Sequence, residues 1–175
     1  MTNSGPEWCK LFPTSNALAD LAPSFRPKAT AFVTMLAEAG AFCSISATLR
    51  PAFRAWLMHY SWCIAREGLD PATVPAKEGL DIVWDHPDAK AAAEEMVEVY
   101  RIVRKPVLDS EHIRGTAIDM TIHVPDGSLL KDRAGTVFSF HGAGDGMDTR
   151  VIAIGKTFGC IKLLDDAPHW SEDGH

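Results

Sequence analysis

The sequence predicts an α+β fold in which several α-helices flank a small antiparallel β-sheet. Two observations carry this. Up to Arg104 the chain is dominated by helix-patterned stretches that open on proline or aspartate and often stop at glycine. After Pro106 the texture changes to short β-like runs, separated by Asp126-Gly127 and by glycine-bearing loops.

The elements follow in chain order. Pro27 to Gly40 reads as a helix with proline in its first turn and glycine past its end, and Ala41 to Thr48 as a short strand. Pro51 opens a second helix, where Phe53, Trp56, Leu57, Tyr60 and Ile64 recur at three- and four-residue spacing until Gly68 stops it. Leu69 to Asp88, with Pro71, Pro75, Gly79 and Pro87, has no period and reads as a long loop around an extended Leu80 to Trp84; long loops often border sites. Ala89 to Arg104 is a helix, with Asp88 at its start and Arg101 and Arg104 at its end to suit the dipole. Strands are expected at Thr116 to Val124 and Val137 to Phe140, a helix from Asp148 to Phe158 ended by Gly159, and a last strand from Cys160 to Leu164.

A chain of 175 residues fits one domain, 1–175, with residues 1–26 as a partly irregular N-terminal extension. No run approaches the roughly 18 apolar residues of a membrane-spanning helix, so no membrane segment is expected. The net charge of -6 is spread without a basic block, which argues against nucleic acid as a partner. Met1 to Lys28 lacks the basic-then-apolar order of a secretory signal, so synthesis and folding in the cytoplasm are expected. Cys9, Cys43, Cys63 and Cys160 form no C-x-x-C pair and read as buried free thiols.

The chemistry lies in the C-terminal third. A hydrolytic zinc site takes three ligands from His, Asp or Glu and leaves a fourth position for water. His112 and Asp119 are too far apart to share a helix face, so a turn must join them, and Gly115 supplies it. If a strand begins at Thr116, Ala117 and Asp119 share a face and the small alanine leaves room beside the ligand. Asp166 and His169, joined by a tight turn at Pro168, can present carboxylate and imidazole to the same ion.

Ser110, His112, Gly115, Ala117 and Asp119 spell S-x-H-x-x-G-x-A-x-D, and Asp166, His169 and Trp170 spell a later acid-x-x-H-W. This pair of motifs resembles the zinc peptidases of the hedgehog/D-Ala-D-Ala-peptidase fold, which cut bacterial peptidoglycan peptides. The resemblance implies one zinc ion held by His112, Asp119 and His169, with Asp166 as general base. It implies Arg50, in Thr48-Leu49-Arg50-Pro51, as the group that polarises the substrate carbonyl, although Ala47, Thr48 and Leu49 replace the family's usual small and aromatic residues there. It suggests Ser110 and Trp170 as substrate-binding residues; an aromatic beside the ligand walls the site, and core packing explains Trp170 nearly as well. Asp166-Ala167-Pro168-His169 looks like the Asp-x-Pro-His of L-alanyl-D-glutamate endopeptidases, whereas family members that remove terminal D-Ala generally carry Glu at the first position. Imidazole-carboxylate sets also hold manganese or cobalt.

Other histidines read more plainly. His59 lies inside an amphipathic helix and is expected to be structural, while His86 and His123 are loop or surface residues able to line a cleft. His141 to Gly146 lacks the Lys-Ser/Thr of a phosphate loop and reads as a surface loop, with a substrate-covering lid as the minor reading. Ser171 to His175 is expected to fray, unless His175, six residues beyond His169, reaches the site.

Three functions compete. The first is a peptidoglycan stem-peptide endopeptidase acting in the periplasm or wall after release without a signal, as a phage endolysin or an injected antibacterial effector with a secretion-machine carrier or immunity protein as partner. The second is a D-Ala-D-Ala carboxypeptidase or cytoplasmic dipeptidase. The third is a non-catalytic zinc-stabilised binding domain, against which Asp166 argues because a structural site needs no base.

Overall fold

Helices and antiparallel strands are both present, the α+β class expected, in a computed structural model that describes every residue from Met1 to His175. The elements are β1 (Thr2–Asn3), α1 (Arg26–Glu38), β2 (Phe42–Ala47), α2 (Ala52–Glu67), β3 (Ile82–Val83), α3 (Ala89–Val99), α4 (Glu111–Arg114), β4 (Ala117–Val124), β5 (Leu129–Lys131), β6 (Val137–Ser139), β7 (Gly144–Asp145), α5 (Thr149–Phe158), β8 (Ile161–Lys162) and β9 (His169–Ser171). The chain groups into two compact units, Met1–Thr14 with Arg50–Ser110, and Ser15–Leu49 with Glu111–His175. The sequence, read as one domain, thus carries two hydrophobic cores, one in each unit. No helix is long and apolar enough to cross a membrane.

In the first unit, α2 turns Trp56, Leu57 and Ile64 onto Ala93, Met96 and Tyr100 at the α3 side, with Cys9, Leu80 and Trp84 completing the core. The stripe expected along α2 is therefore core packing, and Gly68 ends the helix in the left-handed region at φ 71°. His59 is structural, its Nδ1 2.7 Å from the Pro106 carbonyl. The 1–26 extension is more regular than expected. Thr2 and Asn3 pair in parallel with Ile82 and Val83, and Pro6–Lys10 and Leu18–Asp20 form 3-10 turns.

Helix α3 stops at Val99, short of the expected Arg104. Arg101 takes φ 56°, and the Ile102 amide reaches back to the Val97 carbonyl at 3.0 Å, a left-handed end closed by a long return bond. Pro106 disfavours helix at Lys105, so continuation had little to gain. Arg101 and Arg104 consequently lie beyond the helix whose dipole they were expected to serve.

In the second unit, the sheet runs β2-β4-β9-β8, with β7 pairing the far end of β4, and every pairing in it is antiparallel. Ile118, Met120, Ile122 and Val124 alternate along β4 onto one face, where they meet Phe32 and Leu36 of α1 and Val151, Ile154 and Phe158 of α5. Asp119, Thr121 and His123 take the other face. Helix α5 has the expected ends: the Asp148 side chain accepts from the Arg150 amide at 2.8 Å, and Gly159 closes at φ 83°.

Four strands differ from expectation. The run Cys160 to Leu164 pairs only at Ile161–Lys162, and a further strand, His169–Ser171, follows it. The glycine-rich stretch at 141–146 contributes β7 rather than a free loop, because Gly144 and Asp145 pair with Val124 and His123. A Cβ at Gly144 would lie 3.0 Å from the Phe140 ring, so a side chain there would push on that ring where the segment approaches the sheet. Leu129–Lys131, which sequence reading missed, pairs with the expected strand at Val137–Ser139 as a separate hairpin.

Candidate metal centre

The turn between His112 and Asp119 is a single helical turn, α4, closed by Gly115 at φ 72°. A Cβ on Gly115 would sit 3.0 Å from the Ala22 backbone nitrogen, and the Gly115 carbonyl accepts from that same amide at 2.9 Å. Left-handed geometry and close approach both demand glycine. The buried Glu111 carboxylate braces the turn from both sides, accepting from Arg114 Nε at 3.0 Å and from the Thr116 hydroxyl. Gly115→Ala is expected to lower stability by about 1–3 kcal/mol, read as an earlier midpoint in urea unfolding; an unchanged midpoint would refute the backbone requirement.

Strand β4 then carries Asp119 into register with His169 of β9 on one side and Ala47 of β2 on the other. Residues directly opposite in antiparallel strands share a face, so this register sets imidazole beside carboxylate. Asp119 Oδ1 lies 3.1 Å from His112 Nε2 and 3.0 Å from His169 Nδ1. The three ligand atoms all lie within 4.8 Å of one another, a set that can hold a metal ion.

The outer nitrogen of each imidazole decides how the inner one is used. His112 Nδ1 is 2.8 Å from the Thr48 carbonyl, and His169 Nε2 is 3.0 Å from the His175 carbonyl. A carbonyl can only accept, so both outer nitrogens carry the proton, and in the neutral rings both inner nitrogens present lone pairs. These lone pairs face a carboxylate oxygen. Acceptor meets acceptor twice unless a cation sits among them or both rings are protonated, and the two rings are only 4.9 Å apart. Carbonyl-oriented imidazoles around a carboxylate match the outer shell of a metal centre.

The local electrostatics reflect the same contacts. Burial opposes ionisation of Asp119, but the hydrogen bonds and charges of His112 and His169 outweigh it and hold the carboxyl well below the usual carboxylate range. Burial likewise disfavours a charged His169, yet its bond to Asp119 and the nearby charges raise its pKa above the ordinary value.

The Thr48 carbonyl is held by its own neighbours. The Thr48 amide donates to Ser15 O at 2.7 Å and its hydroxyl to Ala17 O at 3.1 Å. The His175 end is also ordered, against the expected fraying: Gly174 N donates to Ser171 Oγ at 2.8 Å and His175 N to Asp173 Oδ1 at 3.1 Å. His175 therefore reaches the site through its backbone. Sequence reading missed Thr48 in this role because any residue type can supply a carbonyl.

Asp166 is exposed on the turn before β9, outside the three-ligand set, and its charge is felt by His169. Its backbone closes the turn: His169 N donates to Asp166 O at 3.0 Å. Ser110 and Arg50 are half-buried and belong to the first unit; Ser110 directly precedes α4, and Arg50 follows Thr48 by two residues.

Trp170 corrects an expectation. It is 0% exposed and sits opposite Ile118 on the core face, packed on Phe32 with ring centroids 5.3 Å apart. One residue beyond His169 in a strand means the opposite face, so Trp170 cannot wall the metal centre or touch a substrate. Its close fit excludes even a methyl on Gly155, where a Cβ would lie 2.6 Å from the indole.

A hollow of about 290 Å³ lined by Met120, Thr121, Ile122, Asp145, Met147 and Pro168 shares Asp145 and Met147 with one of about 350 Å³ beside His123. His123 thus lines the second of these hollows. All four cysteines are free, and burial pushes every thiol up, Cys160 to about 12, which disfavours a nucleophilic thiolate. No family model and no curated protein matches this chain, so the centre's chemistry follows from its own atoms.

Proposed function

We propose that this chain is a zinc-dependent peptidase of the hedgehog/D-Ala-D-Ala-peptidase type that hydrolyses an amide in the peptidoglycan stem peptide, at the L-Ala-D-Glu bond. The observation that carries the reading is the pair of carbonyl-oriented imidazoles whose inner nitrogens converge on Asp119 Oδ1. Two imidazoles and one carboxylate suit zinc and leave a coordination position for chemistry. Bound zinc supplies a Lewis acid that brings the pKa of water to about 7 and polarises a carbonyl.

The chain's own residues supply the rest. His112, Asp119 and His169 are ligands, and Thr48 and His175 keep their imidazoles aimed. Asp166, exposed next to the ligand turn, takes a proton from the attacking water and returns it to the departing amine as the C–N bond breaks. Arg50 is assigned by motif position to the developing oxyanion, a task commonly worth about 3 kcal/mol. The Asp166-Ala167-Pro168-His169 run, which looks like the Asp-x-Pro-His of L-alanyl-D-glutamate endopeptidases, favours an endopeptidase.

Digestion of purified peptidoglycan with mass spectrometry of the products tests the reading. New free D-Glu amino ends, with L-Ala left on the sugar, are the expected result. Release of D-Ala alone would replace the assigned bond with a carboxypeptidase cut. Zinc bound at the site without any cleavage of wall or soluble peptide would sink the enzyme reading in favour of a binding domain.

A further inference from the structure

Lys162 is a charged side chain that the proposed chemistry does not use, and the fold buries it to 6% exposure. It pairs across β8 and β9 with Trp170, which places it on the core face and away from His169. Its stem crosses the indole, with Nζ 5.6 Å from the ring centroid. The ammonium then reaches the loop between the two strands, donating to Leu163 O at 2.6 Å, to His169 O at 2.9 Å and to Asp166 O. Three donors meet three acceptors.

Those acceptors are the carbonyls that close the loop's own backbone bonds. Leu163 O accepts from Asp166 N at 3.3 Å, Asp166 O from His169 N at 3.0 Å, and His169 O from Leu163 N at 3.2 Å. Each carbonyl therefore holds one amide and one ammonium proton. The three turn bonds share a single charged hub, and the loop they enclose presents both Asp166 and His169.

We propose that Lys162 is a positioning residue that clamps this loop from the core side and so sets where His169 and Asp166 stand. The catalytic meaning of the clamp rests on the metallopeptidase reading; the clamp itself does not. Burying a lysine is costly, and burial does lower its pKa against the pull of Asp166 and Asp119. A methionine would fill the same space without that cost, so packing alone gives no reason for an ammonium here.

Amide hydrogen exchange on metal-free protein tests the clamp without reference to chemistry. In Lys162→Met, the amides of Leu163, Asp166 and His169 are expected to exchange at least about tenfold faster, while those of Phe32 and Leu36 in α1 keep their protection. Zinc affinity, measured by chelator competition, is expected to fall roughly 10–100-fold, as for other residues that orient ligands. Lys162→Arg, which keeps charge and donors, should recover much of both. If Lys162→Met does not fold, Lys162→Gln, with fewer donors, reads the same amides. Unchanged exchange at the three loop positions, or acceleration shared equally by Phe32 and Leu36, overturns the proposal. Wild-type protein that binds no zinc yet shows the loop-specific response would sink the metallopeptidase reading and leave the clamp standing.

Discussion

Under the proposed zinc-peptidase function, His112→Ala is expected to lose zinc binding, all peptide hydrolysis and the stabilisation that zinc provides. Three protein ligands are the minimum for tight zinc binding at such a centre, so a two-ligand remnant cannot compete with modest chelators. At free zinc of about 100 times Kd, the ion adds about 2.7 kcal/mol to the folded state, which for a chain of this size raises Tm by roughly 5–10 °C. Wild type should show that rise on zinc addition, and His112→Ala should show none. The comparison between zinc-free and zinc-loaded samples of each protein matters more than the absolute Tm. Removing the imidazole also deletes its bond to the Thr48 carbonyl, which lowers stability with or without metal. A His112→Ala protein that keeps stoichiometric zinc and the full thermal shift would show that the three convergent side chains are not the metal centre.

What the sequence made legible here was local. Gly115 announces a left-handed turn, Asp148 and Gly159 announce both ends of a helix, and the alternation Ile118, Met120, Ile122 announces a strand with one buried face. The spacing of His112 and Asp119 around Gly115 needed nothing distant to be interpreted. Strand β9 is different. His169–Ser171 is too short to declare itself, and its conformation is imposed by pairing with β4, so it went unread although the candidate ligand it bears was named. The same omission misplaced Trp170: with His169 and Trp170 left in a loop, nothing set them on opposite faces.

The support around the ligands was less legible still. Thr48 and His175 act through backbone oxygens, which side-chain identity does not encode. Lys162 did leave a trace, a lone lysine within Cys160-Ile161-Lys162-Leu163-Leu164, but a lysine in a short strand normally reads as its exposed face. Only the curl of the following loop turns its carbonyls inward to meet the ammonium. The ending of α3 at Val99 is a further case, since a non-glycine residue, Arg101, takes the left-handed position that sequence rules assign to glycine.

Asp166→Asn separates metal binding from proton transfer and is expected to keep zinc while losing about 10²–10⁴-fold in kcat. The carboxylate lies outside the three-ligand set and on an exposed turn, so neither the ion nor the core depends on it. The turn is held through the Asp166 backbone, whose carbonyl accepts from His169 N and Lys162 Nζ, and asparagine preserves that backbone. Asparagine matches aspartate in shape but cannot take a proton from water, so the change removes the proposed base and little else. The expected pattern is therefore a fall in kcat with KM, zinc content and Tm close to wild type. A rise in KM at unchanged kcat would instead make Asp166 a binding residue. Full activity in Asp166→Asn would require another base, and because His112 and His169 turn their outer nitrogens to carbonyls, neither imidazole could take its place without giving up the orientation that aims it at Asp119.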